Sequence, residues 1–328
     1  MMRLATRASC AQQLHSVAIR STAAAAAVSA TPAITSSAPF VSRFGAFRTF
    51  TDEHLNTFHN DGIVCIPSFV PAAYTDYLRA SLEKTVEAEA ERRKAEGASS
   101  QKVTSFSAEG TAKNAYLSDA YFLESGDKIR YFLEPGQTEV SVGALNKVAH
   151  ALHTDGGAFQ EFTSHQSFRS IARRLGISQP SVVQSMYILK PPRVGTAVGA
   201  HQDSTWIHST PLSCVAMWVA LDDSTIHNSC LLALKGSHKT HVPLSSKASL
   251  INGESVLSGP LPNVPLEAMS PLECPKGSLV LFTGQTVHGS LGNLSDKQRH
   301  AYTFHMVDDS AVWSENNWFG KHLARLAL

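Results

Sequence analysis

His201-Gln202-Asp203 lies between two strand-like runs, and His288 follows a third such run far downstream. Two imidazoles and one carboxylate on one side of a metal ion form the ligand set of non-haem Fe(II) oxygenases, which leaves three coordination positions open. A chain that uses these residues together must fold into short strands whose ends meet at one point. The upstream run is Val182-Val183-Gln184-Ser185-Met186-Tyr187-Ile188-Leu189, stopped by Pro191-Pro192, and the downstream run is Val215 to Leu221. The third, Ser278-Leu279-Val280-Leu281-Phe282, reads as a buried strand turned by Gly284. In an extended segment residues i and i+2 face the same way, so His201 and Asp203 reach one ion while Gln202 points away as a structural residue.

Fifteen histidines and 27 acidic residues produce about one His-x-Asp/Glu triplet by chance, and this chain holds three. His59-Asn60-Asp61 closes an amphipathic stretch capped by Thr51 and stopped by Gly62, which puts it at a helix end facing water. His153-Thr154-Asp155 follows a helix-like run from Asn146 and precedes Gly156-Gly157, so it reads as a solvated turn. Only the triplet at His201 has strands beside it.

Beyond His288 the chain continues through Ser290 to a turn at Asn293-Leu294-Ser295-Asp296, then Arg299 to Val307 alternates as a half-buried strand. Read as a hairpin, the two strands bring Arg299 near His288, a spacing suited to a bridging dicarboxylate. Arginine clamps a carboxylate through a planar two-pronged contact. Taken alone, Arg299 reads more often as half of a surface ion pair.

Several blocks in order resemble the phytanoyl-CoA dioxygenase family of Fe(II)- and 2-oxoglutarate-dependent oxygenases. They include Phe58 to Gly62, Ser125 to Arg130, Asn146-Lys147, Val183 to Ile188, His201-Gln202-Asp203, Gly236-Ser237-His238 and Asn293 to His305, and the likeness runs from about Phe50 to about Trp318. The resemblance implies that His201, Asp203 and His288 are the iron ligands, with O2 and 2-oxoglutarate as co-substrates. It implies that Arg299 and Ser290 hold the distal carboxylate of 2-oxoglutarate and that Lys147, Met186 and Trp218 line its pocket. Lys147 reads otherwise as a surface lysine, and Met186 and Trp218 as core residues. The family usually has Gly where this chain has Ser229 and Pro where it has Lys235, which puts the geometry of that loop in question. The implied reaction decarboxylates 2-oxoglutarate to succinate and CO2 and hydroxylates a small-molecule substrate, an acyl-CoA or another. Lys190 with Arg193, or Arg169, Arg173 and Arg174, are the candidates for coenzyme A phosphates. His208, His238, His241 and His305 are assigned to no metal.

A formal charge of +1 gives no field for nucleic acid, and no apolar run approaches the length of a bilayer span. Five scattered cysteines without a Cys-x-x-Cys point to free thiols. From Met1 to Thr51 there is no Asp, Glu or Lys, while arginines punctuate a Ser/Ala-rich stretch. That is the composition of a mitochondrial transit peptide. The expected organisation is a leader over residues 1–49 and one catalytic domain over 50–328, with peroxisome or cytoplasm as the alternative address.

The domain is expected to be mainly β with flanking α: a double-stranded β-helix, or jelly roll, buttressed by helices over Pro71 to Glu96 and Phe159 to Leu175. Two other classes fit the triad, a zinc-dependent hydrolase and a catalytically silent small-molecule-binding jelly roll. The first leaves Arg299 and Ser290 unexplained, and the second predicts a missing ligand. Oligomeric state is not legible.

Overall fold

The computed structural model describes residues 41–97, 119–239, 246–314, 317 and 323–328. Most of the expected leader and His241 lie outside the described residues. After a short antiparallel pair, Val41–Ser42 with Gly45–Ala46, the main elements in chain order are α1 (Asp52–Asp61), β1 (Ile63–Ile66), α2 (Ala72–Glu96), α3 (Ala120–Leu123), β2 (Ile129–Leu133) and β3 (Leu145–His150). Then follow α4 (Ala158–Thr163), α5 (Gln166–Arg174), β4 (Pro180–Ile188), β5 (Val198–His201), β6 (Val215–Ala220) and β7 (Leu231–Ala233). The last are β8 (Ser270–Leu272), β9 (Leu279–Thr283), β10 (His288–Ser290) and β11 (Ala301–Asp308).

The larger sheet runs β1-β9-β6-β11-β4-β3-β2, with Leu326–Ala327 added beside β4, and the smaller runs β8-β7-β10-β5. Their pairings are antiparallel. This is the expected double-stranded β-helix. Its central strands read as unbroken apolar runs because both faces are covered. In β6, Val215, Met217 and Val219 pack towards the helices, while Ala216, Trp218 and Ala220 belong to the clusters between the sheets. Tyr74, Leu78, Leu82 and Val86 form the buried stripe of α2, the four-residue spacing seen in the sequence.

Three expectations need correction. The run from Asn146 to His153 is strand β3 and a short 3-10 turn, not a helix, and His153 is wholly buried rather than solvated. An inner strand covered on both faces loses its alternation, and a short apolar run then mimics a helix. The helix expected over Phe159 to Leu175 is two helices, because His165 sits in extended conformation and its ring accepts from Ser167 N as the cap of α5. The folded domain also starts ahead of residue 50. Phe47 is buried, stacked on His165 at 3.9 Å between ring centroids and edge-on to Phe69 and Phe168. Residues 41–49 therefore belong to the folded body, since their aromatic side chains outweigh the leader-like composition. The other end of the helical reading holds: Thr51 caps α1 by accepting from His54 N, and His59 is exposed at its last turn. Cys65, Cys214, Cys230 and Cys274 are free thiols.

Candidate active site

The smaller sheet brings the two histidines together directly. His288 of β10 and His201 of β5 are cross-strand partners, with ring centroids 4.2 Å apart. Gly289 lets β10 come this close, because a Cβ there would stand 2.7 Å from the Val198 carbonyl oxygen and 2.7 Å from Leu266. Gln202 stays extended, so Asp203 turns back to the face of His201 just as a 3-10 turn begins. Gln202 points the other way and donates from Nε2 to the Gln285 carbonyl at 2.8 Å. Asp203 Oδ1 lies 3.5 Å from His201 Nε2 and 3.8 Å from His288 Nε2, and one ligand atom from each residue falls within 4.8 Å of the others. Among the described residues this is the only such group of three or more.

Hydrogen bonds behind the triad orient it. His201 Nδ1 donates to the Gly199 carbonyl at 2.9 Å and His288 Nδ1 to the Thr286 carbonyl at 3.1 Å. Each ring is thereby fixed in the tautomer that keeps the Nε2 lone pair for the cavity. Burial first, and His201 next, hold the His288 pKa down to about 4, so it is neutral at physiological pH. Burial would raise the Asp203 carboxyl, but the His305, His288 and His201 imidazoles around it prevail, His305 as a hydrogen-bond donor, and hold it well below the usual range. Two imidazole nitrogens and one carboxylate are a donor set that a divalent transition metal accepts.

His305 is the residue that sequence reasoning missed. Its Nε2 donates to Asp203 Oδ2 at 3.0 Å, leaving Oδ1 facing the two imidazoles. Its signal was available: Arg299, Ala301, Thr303 and His305 share the parity of one strand face.

Arg299 is placed differently from the expected hairpin. β10 and β11 lie in opposite sheets, so the chain between them crosses the barrel and Arg299 faces the metal ligands from the larger sheet. The turn forms, with Asn293 Oδ1 accepting from Ser295 N at 3.1 Å, yet it joins sheets rather than neighbouring strands. Arg299 is 1% exposed, its Nε donates to the Ser229 carbonyl at 3.0 Å, and its guanidinium lies 5.5 Å from the centre of the Trp218 ring. Nη1 is buried with no hydrogen-bond partner in the protein. Burial pulls the Arg299 pKa down to about 10, which still leaves it charged. A buried cation with an unpartnered donor fits an anionic ligand.

The Ser229 departure has a structural reading. Ser229 takes the left-handed conformation, φ 74° and ψ 57°, where glycine is at ease, and its hydroxyl donates to the Leu291 carbonyl. Its carbonyl accepts from Arg299 Nε. Lys235 lies 3.4 Å from Asp61 in a surface ion pair.

All eight residues singled out from the sequence line one cavity of about 690 Å3: His201, Asp203, His288, Ser290, Arg299, Lys147, Met186 and Trp218. Lys147 is buried, not a surface lysine. Its ammonium lies 5.4 Å from the ring centres of both Phe122 and Phe132, and burial lowers its pKa to about 7.

A family model described as phytanoyl-CoA dioxygenase matches residues 58–301. An Arabidopsis thaliana phytanoyl-CoA dioxygenase is 34% identical over 289 residues, covering 84% of this chain and 95% of that protein. The phytanoyl-CoA dioxygenase domain-containing protein 1 of Bos taurus is 39% identical over 211 residues, 60% of this chain and 72% of that one. Among solved structures, EctD from S. alaskensis with 2-oxoglutarate and 5-hydroxyectoine aligns with a TM-score of 0.56 at 17% identity, covering 83% of this chain and 80% of EctD. AviO1 from Streptomyces viridochromogenes aligns at 0.53 and 20% identity, covering 81% of this chain and all of that one. At these identities the structural matches speak for the fold.

Proposed function

Since the chain belongs to the phytanoyl-CoA dioxygenase family and is thus an iron- and 2-oxoglutarate-dependent dioxygenase, we propose that His201, Asp203 and His288 hold its Fe(II). We propose further that Arg299 and Ser290 receive the distal carboxylate of 2-oxoglutarate, and that decarboxylation is coupled to hydroxylation of a small-molecule substrate. One observation carries this reading: the convergent triad opens into a cavity whose facing sheet presents a buried arginine with an unpartnered donor.

When bound, the iron supplies the activation of O2 that links conversion of 2-oxoglutarate to succinate and CO2 with insertion of one oxygen atom into a substrate C–H bond. The protein's share is orientation and charge. Gly199 and Thr286 carbonyls keep the two Nε2 lone pairs aimed inward, and His305 holds Asp203 by its outer oxygen. Arg299, anchored by Ser229, sets how deep a dicarboxylate sits, and the Ser290 hydroxyl lies on the same strand face as His288, two residues on. Lys147, Met186 and Trp218 form the walls against which the co-substrate is packed.

The test is direct. Purified protein with Fe(II), 2-oxoglutarate and O2 should release succinate, and His201→Ala or Asp203→Ala should abolish the release while the thermal unfolding transition remains cooperative. Normal succinate release by either variant would refute the ligand assignment.

A further inference from the structure

None of the four described cysteines lines the metal cavity, yet two of them meet where the sheets end. Cys65 sits on β1, the edge strand of the larger sheet, opposite Val280 of β9. Val64 and Ile66 pack into the core under the helices, so the alternate residues Ile63 and Cys65 turn to the space between the sheets. Cys274 comes two residues after β8, the edge strand of the smaller sheet, and belongs to the same inter-sheet cluster against which Cys65 packs. There the two thiols are hydrogen-bonded to each other. The open edges of both sheets thus meet at a pair of thiols far apart in sequence.

The backbone holds them there. Cys274 exchanges two hydrogen bonds of 2.9 Å with Ser224, and Lys276 N donates to Asp223 Oδ1 at 2.8 Å. Ser68 N, three residues beyond Cys65, donates to Ser278 Oγ at 3.2 Å, which ties the chain leaving β1 to the loop that carries Cys274. A metal is not what this pair serves, since the one group of three or more potential ligands among the described residues is the His201, Asp203 and His288 triad.

The two thiols are unequal in the way that a reacting and a resolving thiol must be. Cys65 is half-buried, and the hydrogen bond with Cys274 lowers its pKa. Cys274 is buried, and the same bond together with burial pushes its pKa up. The thiol that peroxide can reach is therefore the one that ionises first, with a protonated partner beside it. Cys214 and Cys230 are both buried, and burial raises the pKa of each. Cys230 packs in a different cluster, with Leu232, Met269 and Val287.

We infer that Cys65 and Cys274 are a site of reversible oxidation, where hydrogen peroxide closes a disulfide that joins the open edges of the two sheets. The Cys65 thiolate attacks one peroxide oxygen; the S–O bond forms, the O–O bond breaks, and the departing hydroxide takes up the proton that Cys65 gave off, leaving as water. Cys274 then attacks the Cys65 sulfur as it loses its own proton. The S–S bond forms, the S–O bond breaks, and the departing hydroxide takes that proton to become the second water. Two thiols and one H2O2 give one disulfide and two waters, the sulfurs losing two electrons and the peroxide gaining them. The full chain, loaded with Mn(II) so that no iron consumes the peroxide, is reduced, treated with a small excess of hydrogen peroxide and digested without reductant for mass spectrometry. The expected product is a peptide joining Cys65 to Cys274 within one chain, two hydrogens lighter than its parts and separated again by dithiothreitol. Cys65→Ser should yield no such cross-link and leave Cys274 reduced, whereas Cys274→Ser should leave Cys65 as a sulfenic acid that dimedone captures. A cross-link from Cys274 to Cys230, a cross-link between chains at either thiol, or wild-type protein whose Cys65 and Cys274 stay unlinked after peroxide overturns the inference. The wild-type peptide map decides this even if a serine variant fails to fold.

Discussion

Replacing Arg299 by alanine separates the co-substrate reading from the metal reading. The guanidinium is 1% exposed, anchored on one side by the Ser229 carbonyl at 3.0 Å and lying beside Trp218, with Nη1 unpartnered. A carboxylate that docks there gives up its water for this cation, so removing the cation leaves a desolvated charge, a loss of about 2–5 kcal/mol. At about 1.4 kcal/mol per tenfold, the lower bound is a rise of roughly 30-fold in the 2-oxoglutarate dissociation constant. Lysine should recover only part, because a point charge cannot keep the anchor to Ser229 and present two further donors at once. The substitution also leaves the buried Ser229 carbonyl without its donor, a stability loss of about 1–3 kcal/mol, so thermal unfolding is measured beside affinity. The assay is calorimetric titration of 2-oxoglutarate into Mn(II)-loaded protein without oxygen, after metal titration has shown Mn(II) affinity unchanged. A folded Arg299→Ala protein that binds 2-oxoglutarate as the wild type does would place the carboxylate elsewhere and refute the assignment.

His305→Leu takes the donor from Asp203 Oδ2 and should lower metal affinity by roughly 10- to 100-fold, with a stability loss of about 1–3 kcal/mol from the buried oxygen left unpaired. His305→Gln should restore part of it, and a leucine variant with wild-type metal affinity would show that the 3.0 Å bond does not orient the ligand. His153 is buried and held by Ser185 and the Ala324 carbonyl, and burial brings its pKa to about 4 from the ordinary 6.5. The folded state thus binds fewer protons between those values, so its contribution is full above 6.5 and is lost as pH falls towards 4, about 2 kcal/mol by pH 5; urea unfolding of His153→Gln should show a correspondingly shallower loss between pH 7 and 5, and an identical slope would contradict it. We propose that the N-terminal segment is a mitochondrial leader: residues 1–40 fused to a fluorescent reporter should enter mitochondria, and a diffuse or peroxisomal pattern would count against that address.

What could be read from the sequence depended on whether the signal was local. His201, Gln202 and Asp203 obey strand parity within three residues, and the structure keeps it: two side chains face the cavity and the middle one bonds to Gln285. The strands at Val182, Val215 and Leu279 were legible for the same reason, since β-branched runs bounded by prolines and glycines leave little choice. Which sheet a strand joins is not local. The Asn293 turn looks like that of a hairpin, because its side chain bonds to backbone two residues on in either case, and only the packing of two sheets decides that β11 crosses over. That crossing is what puts the buried Arg299 opposite the His201, Asp203 and His288 triad instead of beside it. Burial, too, is set by long-range packing. Lys147 and His153 carry polar side chains in inner strands or turns, and nothing in their neighbours along the chain distinguishes a covered position from an exposed one. The same holds for Phe47, whose partners Phe69, Phe162 and Phe168 come from three separate segments. His305 falls between these cases. Parity alone points it into the barrel with Arg299, but only the fold shows that the carboxylate it meets is Asp203, and that one oxygen of that carboxylate is thereby left for the metal.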